Sequence, residues 1–423
     1  MGMQEVVVTG MGILCSFAHN IEEYAEGLVS RKSNFKRVSF QENGGNRKMV
    51  CAVIENHPTD DVLKKIFNDM SEVKSRNIEQ IIRHASIPLK RTIVAAAEAW
   101  EAAALFEQKI AAERTGLVVA GHNLTQNYQY RNLKTFSESM EFLTPRYSLQ
   151  FMDTHYIGTL SEIFEIKGES FTVGGASASG NVALHKAGQL VKAGEMDACL
   201  VIGPMADFSP LEFQGFINIG AMGGHRYVHD PDKACRPFDS GHDGFIYGQG
   251  CGCMVIESGE SAARRGVDLL ARLESSEIAL DANWLASPDV EGEVRAMVNT
   301  IRKAGISASD IDYLNTHGSS SPLGDKTEIH AVKRVFGSSL DKLWLNSTKG
   351  LTGHCIYSAG VVEAIATVIQ IRKGVVHPNN NLEVPIDEEC RLVGAEACPA
   401  EIEHAMSNSF GFGGINTSLI LRG

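Results

Sequence analysis

The sequence predicts an α/β protein in which two similar βα halves share one core. Three observations carry this. Short β-branched runs alternate with alanine- and leucine-rich segments at helical spacing along the chain, the pattern of strands and helices packed in layers. After about residue 256 the alternation starts again, with no low-complexity linker between the two stretches. A chain of 423 residues, 43% of them hydrophobic, suffices for two ordinary domains or one large fused core. The expected halves are residues 1–256 and 257–423.

Taken in order, EVVVTGMG (5–12) reads as a strand ending in a tight turn, RTIVAAAEAWEAAAL (91–105) as a helix, and TGLVVAG (115–121) as a buried strand. FTVGG (171–175) predicts another strand. Ala176 to Ala193 then reads as a helix with Val182, Ala183, Ala187, Leu190 and Val191 on one face and Gly194 as its stop. MDACLVIG (196–203) is the next strand. The second half repeats the scheme with VDLLARLESSEIAL (267–280), the helix VEGEVRAMVNTIRKAG (290–305) and the strand IDYLNTHG (311–318). A very apolar helix follows His354, and HAMSNSFGFGGINTSLILRG (404–423) closes the chain as strand. Residues 30–90 are the least regular; Gly44, Gly45 and scattered Lys and Arg predict surface loops of the kind that carry partner contacts.

Composition narrows the function classes. Lys+Arg 39 against Asp+Glu 51 gives a net charge of -12, which argues against a general nucleic-acid binder, because phosphate affinity needs basic surface. A mean hydropathy of -0.08, with no run of about 18 apolar residues, argues against a membrane span. The start has no basic segment ahead of an apolar one, so no secretory signal is expected. Nine cysteines without a C-x-x-C pair fit a cytoplasmic protein with reduced, mostly buried thiols.

Four motifs invite a chemical reading. VVVTGMGILC superficially matches a dinucleotide-binding turn, but Cys15 falls where the third small residue after Gly10 and Gly12 belongs. GFGG near the end fails in the same way at Asn416. In NTHGSSSPLGDKTEIH (315–330), His317 ends a strand, Pro322 and Gly324 shape a turn, and Asp325 and Glu328 lie near a helix start, where carboxylates suit the dipole. By itself this stretch reads rather as a capped loop with a surface histidine. In NSTKGLTGHCIYSAGVVEAI (346–365), His354 stands at the N-terminus of an apolar helix. There the positive helix end disfavours imidazolium and keeps the ring a neutral hydrogen-bond donor. Lys349 lies five residues earlier on a glycine-bounded loop, and Glu363, a carboxylate among apolar neighbours, is expected to pair with it.

Together these stretches resemble the β-ketoacyl synthases of fatty acid and polyketide assembly, over essentially the whole chain. CRPFDSGHDGFIYGQGCGCMVIE (235–257), with Asp239, Asp243 and Gly248, is similar to the family's R-P-x-D-x-x-x-D-G-F-x-x-G-x-G stretch. HGSSSPLGDKTE, STKGLTGH and SNSFGFGGIN match three further family motifs in order. The resemblance implies a thiolase-like fold with α-β-α-β-α layering. The family's nucleophile is a cysteine in a turn before V-A-L-H. In FTVGGASASGNVALH (171–185) that position is Ser177.

This departure decides the expected function. A helix N-terminus lowers a cysteine's pKa enough to give thiolate. A helix dipole worth about 0.3–1 kcal/mol cannot turn a serine hydroxyl into alkoxide at neutral pH. No G-x-S-x-G surrounds Ser177, so acyl transfer should be lost. Cys355, beside His354, is a poor substitute nucleophile in its apolar helix.

Decarboxylation needs no thiol. The resemblance implies that His317 and His354 hold a malonyl thioester oxygen and stabilise the enolate left by CO2. It implies that Lys349 supports the site, that Phe412 is an aromatic gate, and that Ser319 and Ser321 hold the pantetheine arm. No cofactor or metal is expected beyond the carrier's phosphopantetheine.

The chain is thus similar to the Ser-for-Cys ketosynthase-like decarboxylases of polyketide β-branching cassettes, which make acetyl-acyl carrier protein from malonyl-acyl carrier protein for an HMG-CoA synthase-like enzyme. Homodimerisation follows from the same likeness, as does docking of an acyl carrier protein near Arg83, Lys90 and Arg91. Two alternatives stand beside this reading: a non-catalytic partner of the chain-length-factor type, and an acyltransferase with Ser177 as nucleophile.

Overall fold

The computed structural model describes residues 4–42, 45–68, 72–283 and 286–423. Its main sheet has ten strands, numbered here in chain order. The first five are β1 (Val6–Cys15), β2 (Thr115–Ala120), β3 (Ser170–Val173), β4 (Ala198–Gly203) and β5 (Gly250–Ser258). The second five are β6 (Ala271–Leu280), β7 (Tyr313–Asn315), β8 (Trp344–Asn346), β9 (His404–Gly411) and β10 (Ile415–Arg422). In space they run β3-β2-β4-β5-β1-β6-β10-β9-β7-β8. Each strand of the first five thus has its counterpart five strands later, and the pairing senses repeat as well. β1 and β4 both run antiparallel to β5, whereas β2 lies parallel to β3 and β4. The same senses hold for β6 and β9 against β10, and for β7 against β8 and β9. The two sets join where Val7 and Val8 pair with Arg272 and Ala271.

Both faces of each half-sheet are covered, which explains the near-continuous apolar runs of the inner strands. In β2, Leu117 and Val119 face the outer helix Ile87–Ala102, while Val118 and Ala120 face the centre of the molecule. Helices Val290–Ala304 and Pro322–Phe336 cover the far side of the second half-sheet. Two helices fill the middle layer, Ser179–Lys192 from the first half and Ala359–Lys373 from the second. The layering is therefore α-β-α-β-α, in a thiolase-like fold.

Glycine decides two close approaches. Gly10 and Gly12 lie inside β1, where a methyl group would come within 2.1 Å of Ala99 O and 2.0 Å of Ala95 O respectively. These glycines let the outer helix lie against the strand and cradle no phosphate. In the middle layer a methyl at Gly180 would lie 2.6 Å from Val361 N, and one at Gly360 would lie 2.6 Å from Asn181 N. The central helices touch backbone to backbone there.

The structure corrects four expectations. EVVVTGMG does not end in a tight turn: β1 runs on through Gly10 and Gly12 to Cys15. Residues 30–90 are not mainly loop: they form the hairpin Phe35–Glu42/Gly45–Ala52 and the helices Thr59–Phe67 and Glu72–His84, with Gly44 outside the described residues. The single-sequence pattern missed the hairpin because its polar, charged strands lack a strong period-2 signal. Lys349 begins a short helix, Lys349–Thr352, rather than lying on a loop. His354 precedes the apolar helix by five residues, behind the 3-10 turn Ile356–Ser358. All nine cysteines are free, eight of them buried. No helix among the described residues is long and apolar enough to cross a membrane.

Candidate active site

The two central helices begin side by side, and the turns leading into them carry the candidate residues. Ser177 sits in the 3-10 turn Ala176–Ala178, directly before the first central helix. Its predecessor Ala176 has φ 48°, a left-handed value that lifts the serine out of the helical path. The turn before the second central helix has the same feature at Ile356, with φ 55°.

His354 is fixed by its backbone and by its ring. Its N–H donates to Ile246 O at 2.7 Å, and its carbonyl accepts from Gly248 N at 3.0 Å. A methyl group at Gly248 would meet Thr352 O at 2.1 Å, so the motif around residue 248 holds the histidine loop by close backbone approach. The Ile356 N–H donates to His354 Nδ1 at 3.0 Å. A neutral imidazole has one proton, so that proton is on Nε2, which donates to Ser177 Oγ at 2.9 Å. The ring is thus a donor toward the serine and not a base for its hydroxyl. This geometry offers no activation of Ser177 as a nucleophile.

His317 follows the end of β7. Its backbone N–H and that of Gly318 donate to the two oxygens of Glu328, at 2.8 and 2.7 Å. Asp325 accepts from Phe238 N and from His242 Nδ1, each at 2.8 Å. From within the helix Pro322–Phe336, Glu328 therefore locks the His317 loop and Asp325 holds the 238–242 segment, rather than either decorating a surface cap. The Lys349 ammonium, which can only donate, lies 3.4 Å from His317 Nδ1 and 2.5 Å from His317 O. It also pairs with Glu363 at 2.6 Å, and both side chains of the pair are buried. The expected Lys349–Glu363 pair is present. Burial pushes the Glu363 carboxyl up to about 7, while Lys349 pulls it down.

With Nδ1 accepting, His317 also presents Nε2–H. The two imidazoles meet edge to face with ring centroids 5.6 Å apart, close enough for both N–H groups to converge on one oxygen. Burial holds both rings well below the ordinary histidine pKa, and the Lys349 charge adds to it. Both stay neutral donors.

These groups open into a cavity of about 900 Å³. Its wall includes Ser177, His317 and His354 together with Ser319, Ser321 and Phe412, so all the candidate residues except the buried Lys349 share one space. The Ser319 and Ser321 hydroxyls are 2.9 Å apart. Phe412 is 40% exposed in the turn between β9 and β10, with its ring 6.2 Å from that of Phe216. Phe245 and Phe410 pack against His354 and His317 at 5.4 and 5.7 Å. Sequence reasoning passed over both, although each lies inside a quoted motif. Cys355 does not line the cavity, and burial raises its thiol far above the range of thiolate chemistry.

Of the three basic residues considered for docking, only Arg83 is exposed. Lys90 pairs with Asp60 at 2.7 Å with its side chain 12% exposed, and Arg91 is turned to donate to Ile54 O at 3.3 Å.

Known proteins resemble this chain over almost its whole length. The model of the β-ketoacyl synthase N-terminal domain matches residues 3–262, and that of the β-ketoacyl synthase C-terminal domain matches residues 270–383. The polyketide biosynthesis malonyl-ACP decarboxylase PksF of Bacillus subtilis (strain 168) is 36% identical over 420 residues, covering 99% of this chain and 97% of the relative. The 3-oxoacyl-[acyl-carrier-protein] synthase 2 of Coxiella burnetii is 30% identical over 430 residues, covering 100% and 99%. The crystal structure of a β-ketoacyl synthase from Burkholderia phymatum STM815 superposes with a TM-score of 0.86 at 25% identity, covering 99% of both chains.

Proposed function

Because the chain belongs to the β-ketoacyl synthase family, we propose that it decarboxylates malonyl-acyl carrier protein to acetyl-acyl carrier protein and does not condense. The observation that carries this is the pair of neutral imidazole donors set beside a serine that nothing deprotonates. The malonyl thioester oxygen binds between His317 and His354. When the bond to the carboxylate breaks, its electrons pass to that oxygen. Two preorganised N–H groups stabilise the resulting enolate more than they stabilise the substrate. The ion pair with Glu363 keeps Lys349 against His317 and maintains both rings as donors. With no acyl group on Ser177, the enolate takes a proton. Ser319 and Ser321 hold the pantetheine arm, Phe412 stands at the malonyl end, and no metal or cofactor is required.

We assign the acetyl product to polyketide β-branching, with an HMG-CoA synthase-like enzyme as consumer, in the cytoplasm. Two features support a homodimer. Edge strand β3 has no strand on its outer side among the described residues, while the opposite edge, β8, is closed by Leu345 bonding to Arg391 and Val393. In the segment between β2 and β3, Leu133, Phe136, Met140, Phe142 and Leu149 expose a run of large apolar side chains. Purified protein incubated alone with malonyl-carrier protein tests the function. Loss of CO2 mass from the carrier, with no adduct on the protein, is expected. An untouched carrier refutes it, and an acyl adduct on Ser177 favours the acyltransferase.

A further inference from the structure

An enolate that is not captured by an acyl group must be protonated, and the groups described so far do not supply that proton. The imidazole N–H groups are committed to the oxygen and, being neutral, are weak acids. Lys349 uses its N–H groups on Glu363 and on two atoms of His317. Glu328 has both oxygens occupied by the His317 loop.

Glu293 differs from all of these. It lies in the first turn of the helix Val290–Ala304, is 1% exposed, and lines the same cavity as His317, His354 and Phe412. Its Oε2 is fully enclosed with no hydrogen-bond partner. A buried carboxyl without partners is costly to ionise, and costlier still beside other carboxylates. Burial first, then Glu328, Asp281 and Asp289, hold Glu293 well above the usual carboxylate range. It therefore holds its proton more firmly than an ordinary carboxyl, in the wall of the cavity that His317 and His354 also line.

We propose that Glu293 is the general acid that converts the enolate into the acetyl methyl group. The assignment rests on the decarboxylase reading and extends it. As the bond from C2 to the carboxylate breaks, its electron pair enters the C1–C2 bond and charge gathers on the thioester oxygen. The pair then returns to form a C2–H bond with the Glu293 proton, directly or through one water. Glu293 is left as carboxylate beside Glu328 and Asp281, an arrangement that favours prompt reprotonation from water. No other reactant is needed.

The test separates proton delivery from loss of CO2. Malonyl-carrier protein bearing tritium at one of the two C2 positions is turned over in D2O, and the chirality of the acetyl methyl is measured. A fixed acid deuterates one face, so the native enzyme gives one chirality. Glu293→Gln keeps CO2 release within about tenfold, because the imidazole pair carries that step, but gives racemic acetyl. Glu293→Asp, which keeps the acid, retains most of the chirality. Racemic acetyl from the native enzyme or from Glu293→Asp overturns the proposal, as does native chirality from Glu293→Gln. Failure of the native enzyme to release CO2 defeats the decarboxylase reading instead, and is seen before chirality is measured.

Discussion

Replacing Ser177 by alanine is the sharpest test of the site, because the two readings of the serine predict opposite signs. The Ser177 hydroxyl accepts the His354 Nε2–H at 2.9 Å, and the Ile356 N–H fixes the proton on that nitrogen. In a decarboxylase the substrate oxygen must take this donor from the serine. A neutral hydrogen bond contributes about 0.5–1.5 kcal/mol net. At about 1.36 kcal/mol per factor of ten, removing the competitor raises kcat/KM by about two- to twelvefold at most. Any gain is smaller if water replaces the hydroxyl. His317→Ala or His354→Ala each removes a donor to the developing oxyanion and should cost about 10²–10³-fold. Timed mass measurements on malonyl-carrier protein resolve both effects. A Ser177→Ala enzyme as inactive as the histidine variants would show that the hydroxyl takes part in the chemistry, and would refute the reasoning.

Further predictions concern the surroundings. Ser177→Cys places a thiol before a helix N-terminus, where thiolate is favoured; exposed to acyl-carrier protein it should acquire an acyl adduct in intact-mass spectra, whereas the native protein stays unmodified. Both candidate histidines are held below the ordinary value, so any fall in kcat/KM between pH 7 and 6 should follow Glu363, whose carboxyl sits at about 7, and not protonation of the rings; an imidazole NMR titration of His317 or His354 centred at 6.5 would contradict the neutral-pair geometry. The same depression means that the unfolded chain binds more protons, so these groups contribute stability above 6.5 that urea titrations should show being lost progressively below it. Lys349→Met leaves Glu363 buried and unpaired and should cost about 3–5 kcal/mol in urea unfolding. The double variant Lys349→Met/Glu363→Gln should recover most of that stability without recovering activity.

Much of the site was legible because its residues lie in short motifs whose local chemistry is unusual. A carboxylate at position 363 in an otherwise apolar helix demands a cation, and Lys349 is that cation. The alternation of apolar runs was enough to show two halves of similar build. It could not show that strand order repeats with an offset of five, because period-2 patterning says which face is buried and not which strand lies alongside. His354 was expected to stay neutral through a helix dipole; burial and the Lys349 charge keep it so, and one backbone N–H, from Ile356 in a turn whose left-handed residue no propensity would suggest, fixes which nitrogen carries the proton. Glu293 escaped notice for the opposite reason. Beside Glu291 in a helix's first turn it looks like an ordinary acidic cap, and only packing of that helix on the sheet encloses it.

The bare contact between Gly180 and Gly360 has a consequence for how the enzyme tolerates change. Ser177 hangs from one of the helices that meet there, and His354 from the segment leading into the other. Their separation is therefore a gauge of how the halves are seated. A single carbon atom added at either glycine acts as a wedge at the seam. What it spoils first is the alignment of groups that no one half owns, long before the packing within either half gives way.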